Sequence, residues 1–408
     1  MRRVLPRVIK RFLTRFRSLL PLALICAACA PAQQTPPPAA TTPPITLIPR
    51  SHDEREDSYR AHHRIILNVQ VADSAGNPAV NRKPGDFTLL VDRQPHPVVE
   101  IRPVNGTTSI PRVHVILLLD AVNTTPAELT AERKAIETYL AQSQLPLVYP
   151  TAIAVLTDSG VIASPSVQDR GVLAAQLNSY LSDVHTVDCF RKADLDKAAP
   201  ADSLRSGGLL PSATTPTGPS FRAGCLNQRF QRSVASLTHL AGKLTALRGR
   251  ALLVWLGPGW PLLAGPDFSP DTPEIKRNFF DYLVKLSTDL RLAQLTLEAV
   301  SSPDFFSAAQ SAADPVHIGF DPVATEDQAS AASFALPVLV RQTGGQILTQ
   351  SKDLANQIAR SVADADSYYA LTFDAPPAAN PGQLHSIELR VANPALTVRT
   401  TPLYYAEP

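Results

Sequence analysis

Asp120 is the residue on which chemistry is most readily built. It closes an apolar run, Val113-His114-Val115-Ile116-Leu117-Leu118-Leu119, and is followed by Ala121-Val122-Asn123-Thr124. Such a run predicts a strand buried on both faces, the usual state of a central parallel strand. In open α/β sheets, ligands bind in the crevice beyond the carboxyl ends of the strands. Asp120 is expected at that edge, with Asn123 and Thr124 beside it as ligand- or partner-binding groups. The competing reading is a plain strand end and helix start. Thr125-Pro126-Ala127-Glu128 supplies that start, with Pro at the first helical position and an acid in the first turn.

Other residue groupings carry less. Thr157-Asp158-Ser159-Gly160 holds the pieces of an aspartic protease signature in the wrong order and reads as a turn. Gly257-Pro258-Gly259 lacks the Lys of a phosphate loop. Ser, His and Asp all occur, but without a Gly-x-Ser-x-Gly elbow. His62-His63 would point to opposite faces of a strand, which disfavours a shared metal. Trp255 is expected in the core. Trp260, on the loop after a strand, is expected as an exposed contact. No coherent acid–base or nucleophile set emerges, so no catalytic residue is assigned and an enzyme is the second choice.

The chain has 408 residues and a formal net charge of +2. That length suggests two or three domains. Seven basic residues fall within the first seventeen positions, and the remainder carries a formal −5, which is mildly acidic and not a nucleic-acid signature, so no nucleic-acid partner is expected. Residues 1–32 read as an export signal: a basic segment, then Leu19 to Ile25, too short to span a membrane comfortably. Ala27-Ala28-Cys29 resembles a bacterial lipobox, although Cys26 stands where Leu is usual. A cleavage after Ala30-Pro31-Ala32, before Gln33, is the alternative. The lipoprotein reading is preferred, which makes an N-terminal lipid the only membrane contact. In either case the folded part is exported, as a lipoprotein or a secreted or periplasmic protein of a bacterial cell envelope. In an oxidising envelope, Cys189 and Cys225 are expected to pair. That bridge would close a loop of 36 residues, worth roughly 4 kcal/mol in the chain-entropy account.

The elements that must position Asp120 follow from periodicity. Residues 33–60 are a Pro-rich polar tether. Residues 61–106 contain strands, with Ile65, Leu67, Val69 and Val71 on one face. Asp86 to Val91 and Pro97 to Ile101 follow, joined by a turn over Asp92 to Pro95. Residues 107–366 alternate strand and helix around an insertion over 185–227, which predicts a mostly parallel sheet flanked by helices. A helix is expected over Gln228 to Leu247 and another over Ala329 to Gln342. Residues 367–408 return to strands, at Ser367 to Asp374, His385 to Val391 and Leu396 to Tyr405. The expected fold class is α/β. A central parallel-sheet domain is inserted into a small β-sandwich built from the N- and C-terminal strands.

The order of Asn77-Pro78, Gly85-Asp86-Phe87, Leu117 to Thr124, Thr343-Gly344-Gly345-Gln346, Tyr368-Tyr369-Ala370-Leu371 and Val398 to Tyr405 carries a resemblance. Over positions 64 to 405 the chain resembles a von Willebrand factor type A domain, and more closely the VWFA-related Acidobacterial family of exported proteins. The resemblance implies a metal-ion-dependent adhesion site of the form Asp-x-Ser-x-Ser, completed by a distant Thr and Asp. Asp120 matches the first position and Thr124 replaces the last Ser. Val122 replaces the first Ser and cannot ligate, while Asn123 adds an oxygen outside the pattern. The distant Thr would be Thr214, Thr215 or Thr217. The later Asp is missing, because Gly257-Pro258-Gly259-Trp260 stands in its place and Asp267 is too far along. A degenerate site on Asp120 and Thr124, binding Mg²⁺ or Mn²⁺ weakly or not at all, is therefore expected. The function implied is an adhesion-type module for a protein or peptide.

Mass spectrometry of the mature protein should find its N-terminus at Cys29, carrying lipid. An unmodified start at Gln33 would instead identify a soluble exported form.

Overall fold

A computed structural model describes residues 64–108, 113–182, 184, 219–246, 249–260, 272–301, 322–348, 351–376 and 378–406. Cys29, Cys189, His62-His63, Asp267 and the three candidate threonines lie outside these residues, as does most of the expected insertion.

The first strands alternate as their sequence requires. In β1 (Arg64–Ala72) the odd-numbered apolar residues are buried and their neighbours face outward. There follow β2 (Phe87–Val91), β3 (Gln94–His96) and β4 (Glu100–Asn105). The turn between β2 and β3 is tighter than the sequence suggests. Asp92 and Arg93 both take positive φ, the geometry of a two-residue hairpin, so Gln94 and Pro95 belong to β3, where they pair with Val91 and Leu90.

The middle of the chain alternates strand and helix. It runs β5 (His114–Asp120), α1 (Pro126–Ala141), β6 (Thr151–Thr157), β7 (Gly160–Ala163), α2 (Arg170–Leu181), α3 (Pro219–Leu244), β8 (Ala251–Leu256), α4 (Pro273–Leu292), β9 (Leu295–Val300), α5 (Leu336–Gln342), β10 (Ile347–Leu348) and α6 (Leu354–Ala363). Local chemistry sets the helix starts. Thr125 caps α1 in a reciprocal box with Glu128, and Asp169, Thr272 and Asp353 accept from the first turns of α2, α4 and α6.

Two expected helices differ. α3 begins at Pro219 rather than near Gln228, so the insertion ends before residue 227. The single helix expected over Ala329 to Gln342 is broken. Short 3-10 turns cover Glu326–Gln328 and Ala331–Phe334, and only then does α5 begin. Pro337 is the cause: it fits a first turn but cannot lie inside a helix, lacking an N–H and clashing with the preceding turn.

The six strands of this region form one sheet in the order β10-β9-β8-β5-β6-β7. All neighbours are parallel except the edge strand β7, which is antiparallel to β6. Strands β5, β6, β8 and β9 are buried almost throughout. Ile116, Leu118, Ala154, Leu253, Trp255 and Leu297 face one core with residues of α3, α4 and α5. Val115, Leu117, Leu119, Ile153, Val155 and Val254 face the other, with residues of α1, α2 and α6.

The chain then returns through β11 (Ser367–Asp374), β12 (Leu384–Val391), β13 (Thr397–Arg399) and β14 (Leu403–Tyr405). These strands pair with those of the N-terminal region in two four-stranded sheets, β13-β1-β11-β4 and β14-β12-β2-β3. Ile65 lies opposite Phe373, and Leu89 opposite Leu389. Residues of both sheets, among them Leu67, Val69, Leu371, Phe87 and Ile387, share a third apolar core. The stretch Leu396 to Tyr405, expected as one strand, divides between the two sheets. Pro402 sits at the crossing, and a residue without an N–H is tolerated where a ladder is broken.

Gly345 admits no side chain. A Cβ there would overlap the Leu297 carbonyl oxygen of β9. Gly345→Ala should cost about 3 kcal/mol or more, read as a lowered midpoint in urea unfolding.

Candidate functional site

Asp120 ends β5 at the point where the chain's strand order reverses. β6 follows on one side of β5, and β8 lies on the other. This is the topological switch point at which open α/β sheets form their crevice. Opposite Asp120, the chain leaving β8 passes through Gly257, which has φ +131° and whose N–H donates to Val300 O at 3.2 Å. Asp120 and the Gly257-Pro258-Gly259 loop therefore lie side by side. A Cβ on Gly257 would lie 2.9 Å from Asp120 Cβ and 3.1 Å from Thr124 Oγ1.

The Asp120 carboxylate is fully buried and bound on both oxygens. Oδ1 accepts from the backbone N–H groups of Val122 and Asn123 at 3.1 and 3.0 Å, and from Asn123 Nδ2 at 3.1 Å. Oδ2 accepts from Asn123 Nδ2 at 2.9 Å and from Trp255 Nε1 at 3.2 Å. Asn123 Nδ2 also donates to Ser233 Oγ of α3 at 2.9 Å. Burial pushes the Asp120 carboxyl above its ordinary range, and the donors from Asn123, Val122 and Trp255 oppose that rise.

A second carboxyl lies nearby. Glu132, on the inner face of α1, is 6% exposed and its Oε2 has no hydrogen-bond partner. Burial raises it well above the usual carboxylate range. The charges of Asp120 and Glu128 add to the rise, and the Thr124 hydroxyl opposes it. That hydroxyl is itself buried and stands beside Glu132 without completing a well-formed hydrogen bond. Asn123 Oδ1 and Ser301 Oγ, the latter just past β9, are likewise buried and unpartnered.

Of the expected site residues, Asp120, Asn123 and Thr124 are brought together. Trp260 is corrected: it is 4% exposed rather than a surface contact, and it packs edge-on against Trp255 with ring centroids 5.3 Å apart. The Gly257-Pro258-Gly259 turn folds the loop back onto the sheet and carries the indole into the core. Cys225 is buried on α3, while its expected partner Cys189 lies outside the described residues. Glu132, Ser233 and Ser301 were not anticipated. For Glu132 there was a signal, since it shares a helical stripe with Ala135, Ile136 and Tyr139, all buried.

The fit of a hard dication can be judged from the donors. Both Asp120 oxygens already face N–H groups, which a cation would have to displace. The Val122 side chain is in the core, and Gly257 offers no side-chain oxygen. No group of three or more His, Cys, Asp or Glu placed to hold a metal occurs among the described residues. No described helix is long and apolar enough to cross a membrane.

These features define a mixed α/β protein built on a six-stranded, mostly parallel sheet flanked by helices. No family model and no curated protein matches the chain. Similar solved structures include the human COPII-coat protein Sec24c, 8% identical, covering 75% of this chain and 46% of its own length at a TM-score of 0.31. The manganese-loaded Plasmodium vivax TRAP protein is 10% identical and covers 74% of this chain and 96% of its own, at a TM-score of 0.30. The chain thus spans about half the length of the first of these.

Gly257→Ala should cost about 2–3 kcal/mol, from a strained φ and a Cβ pressed onto Asp120. The loss should appear as a lower unfolding midpoint, together with altered near-ultraviolet circular dichroism from Trp255, the donor to Asp120 Oδ2. Unchanged stability would mean that the loop does not approach Asp120 this closely.

Proposed function

We propose that the chain is an adhesion-type interaction module of the bacterial cell envelope, docking a protein or peptide at the carboxyl edge of its parallel sheet. One observation carries the reading: Asp120, Asn123 and Thr124 converge at the switch point between β5 and β8, where Asn123 is partly exposed and Asp120 and Thr124 are buried behind it, the edge at which open α/β sheets take their ligands. A von Willebrand factor A-like architecture, of the VWFA-related Acidobacterial kind, is part of the proposal. The doubly wound strand order supports it. The pairing of both chain ends in two sheets with a common core supports the expected β-sandwich. Export, lipid on Cys29 and a Cys189–Cys225 bridge rest on the sequence.

The site is proposed to be degenerate toward Mg²⁺ and Mn²⁺. With the Asp120 oxygens held by five N–H contacts, Thr124 and Asn123 Oδ1 offer too few oxygens for a dication that wants about six. Binding of the partner would then rest on hydrogen bonds rather than on a bridging cation. The alternative is an envelope enzyme or enzyme subunit using the same crevice. Glu132 favours it, since a buried carboxyl with a strongly raised pKa is a frequent general acid. No nucleophile paired with a base accompanies it among the residues gathered around Asp120, so the binding module is preferred.

An envelope partner captured on the immobilised full chain should be retained in EDTA and lost on Asn123→Ala. Calorimetric titration with Mg²⁺ or Mn²⁺ should give no binding tighter than about 1 mM. Micromolar binding that disappears in Asp120→Ala would replace this reading with a metal-dependent one.

A further inference from the structure

The turn after β5 and the helix that follows it hold three buried oxygens without a hydrogen-bond partner. These are Asn123 Oδ1, Thr124 Oγ1 and Glu132 Oε2. Asn123 and Thr124 are consecutive, and Glu132 faces their turn from the inner side of α1, where Asp120 and the Thr124 hydroxyl both act on it. Buried polar atoms are rarely left unpaired, and each one costs about 1–3 kcal/mol. Three on neighbouring residues mark a place that lacks a donor.

What these residues have to offer is acceptors. The Asn123 NH2 group is already engaged by Asp120 and by Ser233 Oγ, so only Oδ1 is left. An ionised Glu132 accepts and cannot donate, and the Thr124 hydroxyl accepts through its lone pairs. The local charge points the same way. The charged groups acting on Glu132 are Asp120 and Glu128, and no cation is among them. Of the arginines near Ser233 on α3, Arg232 pairs with Asp158 at 3.1 Å, and Arg229 does not act on Glu132.

The missing donor is therefore cationic, and its shape can be narrowed. A hard dication wants about six oxygens, twice what these residues leave free. A guanidinium is a planar fork that suits paired acceptors in one plane. A primary ammonium is a compact charge with three N–H donors and no acceptor, which matches three single oxygens on three residues. The entry is also narrow. Thr124 is 2% exposed and Glu132 6%, and Asn123 is the one of the three that reaches solvent. A small charged head on a slender alkyl stem suits such an entry better than a fork.

We propose that the crevice takes a primary ammonium, carried by a lysine side chain of the docking partner, with Glu132 as its counter-charge and Thr124 Oγ1 and Asn123 Oδ1 as its other acceptors. The proposal rests on the reading of this edge as a docking face and names the chemistry that the face selects. The positive charge comes from the partner rather than from a metal. Asp120 does not bind the ammonium directly. Its oxygens stay with the N–H groups that hold them, and its charge adds to the attraction. A buried carboxylate without a counter-charge is costly, so relief of Glu132 contributes to binding along with the new hydrogen bonds.

The test titrates the full chain with n-butylammonium, a lysine side chain without its backbone, at constant ionic strength. The reporters, in proton–nitrogen correlation spectra, are the Asn123 side-chain amide and the indole N–H of Trp255, which donates to Asp120 Oδ2. Both signals should shift saturably, with a Kd on the order of 10 mM. Glu132→Gln should weaken that binding about tenfold. Butyltrimethylammonium, which has the charge but no N–H, should leave both signals in place. The proposal is overturned by the absence of a saturable shift, by an equal response to the quaternary ion, by an unchanged Kd in Glu132→Gln, or by tighter binding of butylguanidinium. If Glu132→Gln does not fold, the three ions compared on wild type decide alone. Capture of an envelope partner separates this proposal from the docking reading. A partner retained after its lysines are acetylated refutes the ammonium chemistry and leaves the docking face standing. Binding of n-butylammonium with no partner captured does the reverse.

Discussion

Four adjacent strands of the central sheet have no face open to water. Strands β5, β6, β8 and β9 are buried residue after residue, and burying that much apolar surface is the main favourable term of folding. Everything else answers to it. Helices must cover both faces, so the strands must be joined by crossovers, and crossovers make the sheet parallel. Parallel strands all end at one edge, and a polar residue placed after such a run is delivered there. Asp120 is that residue in β5, and the same sheet closes over it from both sides.

The buried carboxyls show two solutions to one problem. Removing a carboxylate from water is costly unless hydrogen bonds or opposite charges replace the lost solvation. Asp120 is held by N–H groups from its own turn and from Trp255, a local arrangement that needs only a few consecutive residues and one neighbouring strand. Glu298 and Asp364 rely on arginines drawn from the start of β8 and from β13, far apart in the chain. The first solution stiffens a turn. The second spans the boundary between two sets of sheets.

What could be read in the sequence was whatever has a short period or a local cause. The strand ending at Asp120, the strand Ser367–Asp374 and the helix start at Thr125 each depend on neighbours a few residues away. Errors arose where a single residue overrode the pattern. Pro337 cut a helix that apolar spacing extended, and Pro402 marked a change of sheet inside what looked like one strand. Trp260 was misplaced because the sequence does not display how sharply Gly257 and Gly259 turn the loop inward. Glu298 and Glu132 are visible irregularities, a carboxylate inside an apolar strand and another on an apolar helical stripe. Their partners were not visible, since Arg399 lies 101 residues from Glu298.

The pairing of the two chain ends has a consequence in time. Arg64 lies opposite Asp374 in the ladder, a separation of 310 residues. At ordinary synthesis rates β1 therefore emerges roughly 15–60 s before β11 exists to pair with it. During that interval its apolar face and its backbone groups have no native partner, and pairings this distant in sequence form slowly even once the chain is complete. Of the described strands, the first made are among the last to find their place. Until then they are the segments most in need of a chaperone's cover.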